Sequence, residues 1–146
     1  TNHLDVDPAM RSMFIASLVL AASTSSLAQN LQVFDVRIEI NESCTVTLHQ
    51  KGRPAETLKS PFSTEGICRI LSHSETNVPR IEFIQGEYVL LVESTVTTDG
   101  ACRAKLAAIT VARSGGVRWS KPTTQTSACG SAERKDFEIL RNQSRQ

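Results

Sequence analysis

Glu87-Tyr88-Val89-Leu90-Leu91-Val92-Glu93-Ser94-Thr95-Val96-Thr97 is the strongest strand signal in the chain, and its reading decides the fold. The β-branched residues suit a pleated surface, and Val89 to Val92 are apolar at consecutive positions, so both faces call for cover. A strand of that kind belongs in the middle of a structure. Downstream, Thr98-Asp99-Gly100 carries an Asp-Gly turn signal. Residues 102–113 are ambiguous: their alanines, Lys105 and Leu106 favour helix, whereas Ile109-Thr110-Val111 favours strand. The residues after Arg113 decide for strand. A three-residue Ser114-Gly115-Gly116 loop would set Arg113 opposite Val117 and Val111 opposite Trp119, gathering the apolar side chains on one face.

Upstream, Phe34, Val36, Ile38 and Ile40 alternate with Asp35, Arg37 and Glu39, the pattern of a half-buried strand. The alternation resumes as Cys44, Val46 and Leu48. A three-residue loop, Asn41-Glu42-Ser43, would place Ile40 opposite Cys44 and Ile38 opposite Val46; one long bent strand fits the same parity. Lys51-Gly52-Arg53-Pro54 reads as a turn, 59–66 and 72–79 as loops, and Ile67 to Leu71 and Arg80 to Gln85 as short strands. Lys121 to Ala128 is Thr- and Ser-rich and is expected to be irregular. From Ser131, a plausible cap, the pattern turns helical, with Phe137 and Leu140 three apart on one side. The expected fold is mostly β: a small antiparallel sandwich or barrel-like sheet with one short C-terminal helix, stapled by two disulfides.

The organisation rests on the N-terminal segment. Met10-Arg11-Ser12-Met13 is followed by an apolar run from Phe14 to Ala22, then by small residues at Ser26 and Ala28. That is the layout of a signal peptide over 10–28, and the apolar run is far short of the roughly 20 residues that span a bilayer. Residues 1–9 read as upstream or added residues, and 29–146 as one exported β-rich domain with no stable membrane anchor after cleavage. In a periplasmic or secreted protein, Cys44, Cys68, Cys102 and Cys129 are expected to form two bridges. Four cysteines allow three pairings. The local one, Cys44 with Cys68 and Cys102 with Cys129, is preferred. Zinc is not expected, because no Cys-x-x-Cys occurs and few histidines could complete a site.

Chemistry is sparse. The expected exported domain offers only His49 and His73 as proton shuttles, neither in a catalytic motif, and both read as surface residues. Glu82 with Glu87, or Asp136 with Glu138, could form acid pairs, but scattered acids among scattered bases look like ordinary surface. The chain carries 16 Lys and Arg against 15 Asp and Glu, a formal net charge of +1, which provides no whole-protein field for nucleic acid. Phe34, Phe62, Phe83, Tyr88, Trp119 and Phe137 fall one per segment, as core residues do, and no nucleotide-binding glycine motif or other cofactor signature is present. Asn41-Glu42-Ser43 and Asn142-Gln143-Ser144 are Asn-x-Ser sequons, against about one expected by chance, and give weak evidence for glycosylation.

Two features could serve a partner. The turn with Lys51 and Arg53 is a basic tip, expected near Cys44, and Arg118-Trp119-Ser120-Lys121 sets the sole tryptophan between cations, residue types that often anchor interfaces. The competing reading puts Trp119 in the core with Arg118 and Lys121 merely solvated. The expected function is therefore non-enzymatic recognition of another protein, most concretely by an inhibitor or immunity protein acting on an envelope hydrolase or toxin. An accessory subunit or assembly factor of an envelope complex, or a small-ligand-binding β-domain, is the alternative.

Overall fold

A computed structural model describes residues 28–63, 66–124 and 126–146. The expected signal peptide, apart from Ala28, and residues 1–9 lie outside the described residues. The strand over 87–97 forms as expected: β7 (Glu87–Thr98) pairs antiparallel with β8 (Ala101–Ala112) along their whole length, from Glu87 opposite Ala112 to Thr98 opposite Ala101. The two-residue turn between them holds Asp99 at φ 51° and Gly100 at φ 75°, the paired left-handed geometry for which Asp-Gly is suited. The alanines that made 102–113 look helical are flat fillers here. Ala104, Ala107 and Ala108 are buried in the sheet, because β7 supplies a partner strand that outweighs local propensity.

Both faces of this ribbon are apolar, and each has its own cover. Leu90, Val92, Ile109 and Val111 form one core with Val36, Ile38, Ile40, Val46 and Leu48 of the other sheet, the first in chain order. That sheet runs in the order β1 (Gln29–Val33), β2 (Val36–Ile40), β3 (Val46–Gln50), β4 (Glu56–Leu58), antiparallel throughout. On the opposite face Val89, Leu91, Leu106 and Ala108 pack with Phe137 and Leu140 of α1 (Arg134–Gln143). The molecule is thus three layers, sheet on sheet on helix. Short strands flank the ribbon. β5 (Ile67–Ile70) and β6 (Ile81–Ile84) share one edge of β7, while β9 (Val117–Trp119) and β10 (Ser127–Ala128) share the outer edge of β8.

Three expectations about the chain path are corrected. First, Phe34 does not belong to a strand with Val36: it occupies a two-residue turn with Asp35, at φ 51°, and residues 29–33 form β1 with Val33 opposite Val36. Second, Ile40 pairs with Val46 rather than Cys44, and Ile38 with Leu48. The loop is Glu42-Ser43-Cys44, closed by Asn41 N donating to Thr45 O at 3.1 Å, while Asn41 Oδ1 accepts from Thr45 N at 2.9 Å. Third, Val111 pairs with Val117 and Ile109 with Trp119, so the β8–β9 loop is Arg113-Ser114-Gly115. Both register changes move the pairing by two residues, which preserves side-chain parity and leaves the expected apolar faces inside. Residues 121–124 and 126–128 are also less irregular than expected. Thr123 N donates to Leu106 O at 2.8 Å, and Ser127 and Ala128 pair with Ala104 and Arg103.

The disulfides are Cys44–Cys68 and Cys102–Cys129. The first ties the β2–β3 loop of one sheet to β5 of the other, reinforced by Cys68 N donating to Glu42 O at 2.9 Å. The second fastens the segment after β10 to the far end of β8. Each typically contributes about 2–4 kcal/mol by restricting the unfolded chain. The helix begins at Arg134, with Glu133 rather than Ser131 at the cap position; Glu133 N donates to Asp136 Oδ2 at 2.7 Å. Phe137 is fully buried and has the Arg80 guanidinium 4.8 Å from its ring centre, whereas Ile139 is 53% exposed. Phe137→Ala is therefore expected to cost about 3–5 kcal/mol, and Ile139→Ala no more than about 0.5 kcal/mol, in urea unfolding monitored by circular dichroism.

Candidate functional site

Antiparallel connections bring four turns to one end of the molecule: Phe34-Asp35, Lys51–Arg53, Gln85-Gly86 and Arg113–Gly115. The two sheets are joined there. Gln50 Nε2 donates to Gly115 O at 3.1 Å, and the Phe34 and Phe83 rings flank Tyr88 at 4.7 and 4.9 Å. Gly115 has φ 90°, and a Cβ on it would lie 2.6 Å from Gln50 Nε2, so glycine permits both the turn and the close approach.

Lys51 and Arg53 are exposed in the β3–β4 turn, which Arg53 N closes by donating to Gln50 O at 3.2 Å. The tip is not near Cys44. The length of β3, about 17 Å for five extended residues, separates them, because Cys44 lies before the strand and Lys51 after it. Lys51 and Arg53 line an open groove of 730 Å³ on the outer face of the first sheet, together with Gln32, Asp35, Arg37 and His49. Arg37, which sequence reasoning did not single out, is exposed on the outward side of β2.

The second candidate group does not assemble into one patch. Successive strand residues point to opposite faces, so Arg118 turns toward α1 and its Nη2 meets Glu87 Oε2 at 2.9 Å. Trp119 turns the other way, half-buried against the inter-sheet core, with its ring edge-on to Phe62 at 6.2 Å. Its buried Nε1 has no hydrogen-bond partner among the described residues. Lys121 is exposed beyond the end of β9.

Of the acids considered as pairs from sequence, Glu82, Glu87 and Glu138 are paired with arginines. Glu87 lies among Arg118, Arg141 (3.2 Å) and Arg145 (3.9 Å), and Arg141, only 2% exposed, also donates to Gln85 Oε1 at 2.6 Å. Glu82 is held by Arg80 and Arg134, Glu138 by Arg134, and Asp136 closes the helix start. At that helix start a hydrogen bond from Lys135, then its charge, holds the exposed Glu133 carboxyl below its ordinary value. A further carboxylate escaped sequence reasoning: Glu93, 1% exposed, accepts from Arg69 Nε and, at 2.8 Å, from Gly130 N. It borders a 260 Å³ cleft with Ser72, His73 and Asn77. The only hint was a glutamate directly after an apolar run.

Of the histidines, His73 is exposed in the β5–β6 loop. His49 is half-buried, with Nε2 3.3 Å from Glu39 Oε2 and without a hydrogen-bond partner among the described residues. This places a histidine beside a carboxylate at the groove, and among the described residues no serine, threonine or cysteine lines that groove. Among the described residues no group of three or more His, Cys, Asp or Glu could hold a metal ion, and no helix is long and apolar enough to cross a membrane. Comparison with known proteins finds no matching family model, no matching curated protein and no matching solved structure.

The Glu87 cluster is the polar link between helix and sheet at the turn end. Glu87→Ala, which strands the buried Arg141 guanidinium, is expected to destabilise by about 3–5 kcal/mol, whereas the double variant Glu87→Leu/Arg141→Met recovers most of that loss; denaturant midpoints compare the two.

Proposed function

We propose that this chain is an exported, non-enzymatic recognition domain that acts on another protein, as an inhibitor or immunity protein against an envelope hydrolase or toxin. The observation that carries the reading is the turn end itself. Short turns joined across the two sheets by Gln50 and Gly115 present exposed Lys51 and Arg53 on a scaffold with two disulfides. A rigid scaffold lowers the entropy lost on association. The disulfides are compatible with an oxidising compartment, periplasmic or extracellular. His49 beside Glu39 is the feature nearest to catalysis, and among the described residues the groove that His49 lines brings no hydroxyl or thiol to it.

One observation favours a second reading, an accessory subunit or assembly factor of an envelope complex. Among the described residues the β7–β8 ribbon extends beyond β5, whose pairing stops at Thr95, and Val96 and Ile67 are 43% and 58% exposed there. A ribbon edge with apolar side chains is a place where another chain can add.

The test is capture by the disulfide-bonded protein from native envelope and culture fractions, with a salt wash and mass spectrometry. One stoichiometric hydrolase or toxin, whose activity falls in the 1:1 complex, is the expected result. A multi-subunit assembly points to the second reading, and the absence of any partner contradicts recognition.

A further inference from the structure

The net charge of +1 conceals an uneven distribution. Away from the turn end many cations have carboxylate partners: Arg69 with Glu93, Arg80 with Glu82, Arg134 with Glu82 and Glu138, and Lys135 with Glu133. At the turn end, Arg37, Lys51, Arg53 and Arg113 are all exposed, and none has an ion-pair partner among the described residues. The nearby carboxylates do not balance them. Asp35 is one, exposed Glu56 at the start of β4 is another, Glu39 faces His49, and Glu87 is shared by Arg118, Arg141 and Arg145. The same end therefore holds an excess of positive charge, spread through the thickness of all three layers.

Local folding does not require it. The β8–β9 turn is shaped by Gly115, and Gln50 makes the link between sheets; of the exposed cations only Arg53 touches that link, its Nη1 donating to Gln50 Oε1 at 3.4 Å. Clustered like charges repel one another, which weakly opposes the compact state. They suit an oppositely charged surface, because complementary fields accelerate encounter and arginine forks take carboxylates two oxygens at a time.

We infer that the partner meets this end with an acidic face, and that Asp or Glu side chains of the partner enter the groove between Arg37, Lys51 and Arg53. Arg113 supports the same field from the adjoining turn. This rests on the recognition reading above and adds the chemistry of the partner to it.

The test compares the full disulfide-bonded chain with two triple variants of equal charge change. Arg37→Glu/Lys51→Glu/Arg53→Glu alters the groove. Lys59→Glu/Arg103→Glu/Lys105→Glu alters exposed cations at the opposite end, where β4 leaves the sheet and the β7–β8 ribbon ends. Matching circular dichroism and unfolding midpoints establish that both variants fold. The probes are a labelled polyglutamate peptide, an oligothymidylate of the same length and phosphatidylglycerol vesicles, each below and at about 0.15 M salt. The expected result is polyglutamate binding that weakens with salt and falls by about tenfold or more in the groove variant, and by less than about twofold in the control. Equal loss in the two variants overturns the inference, as does tighter binding of oligothymidylate or vesicles than of the peptide. The capture experiment separates the two claims. A partner retained undiminished by the groove variant overturns the acidic face and leaves recognition standing, whereas no partner on the unmodified chain overturns recognition and this inference with it.

Discussion

A two-stranded ribbon that is apolar on both faces cannot be stable without a layer on each side, and β7 with β8 is such a ribbon. Leu90, Val92, Ile109 and Val111 face the first sheet, and Val89, Leu91 and Leu106 face α1. Fully burying one such side chain is worth about 1.5–3 kcal/mol, so loss of either layer would forfeit several of these contributions at once. The layers result from that requirement. The first disulfide secures the sheet-to-sheet contact, and the second holds the outer edge of β8 where the ribbon runs past its neighbours.

The helix-facing side of β7 reads Glu87, Val89, Leu91, Glu93: two glutamates bounding an apolar stripe at the spacing of one strand face. Where the apolar cover of α1 gives out, guanidinium groups and backbone N–H take over. Glu87 is met by Arg141 from the helix and Arg118 from β9, and Glu93 by Arg69 from β5 and by Gly130 beside the second disulfide. Buried carboxylates that would otherwise be costly become the positions where helix, edge strands and disulfide segment are joined to the ribbon. The Glu87 end of the ribbon is also the turn end. The structural arginines and the unpaired surface cations therefore share one region, and the same geometry that holds the helix in place supplies the field ascribed to recognition.

Side-chain parity was legible in the sequence, and pairing was not. Alternation in 34–50 and 102–119 identified the inward faces of β2, β3, β8 and β9, and a shift of two residues leaves faces unchanged, so the loops around Cys44 and Ser114 could be misplaced without misplacing the core. β1 was missed because Leu31 and Val33 directly follow the expected cleavage point, and its turn uses Phe34, a residue type rarely found at positive φ. β4 and β10 are too short to show a pattern. The local disulfide pairing was preferred but could not be derived. The candidate site was only partly visible: Lys51 and Arg53 stood out as a turn, but Arg37 and Arg113 are far from them in sequence and join them through the alternation of turns. Arg118 and Trp119, adjacent in sequence, are separated by the pleat of β9. A whole-chain charge near zero described an average over a polarised molecule.

Native-state hydrogen exchange tests the central claim most directly, because a ribbon covered on both sides must be the last element to open. The predicted result is that the amides of Leu90 to Val92 and Ala107 to Ile109 exchange only through global unfolding, while those of Val96 to Arg103, where the ribbon runs past its cover, exchange orders of magnitude faster. Slowest exchange in β2 and β3, with β7 opening early, would contradict it and move the organising core to the first sheet.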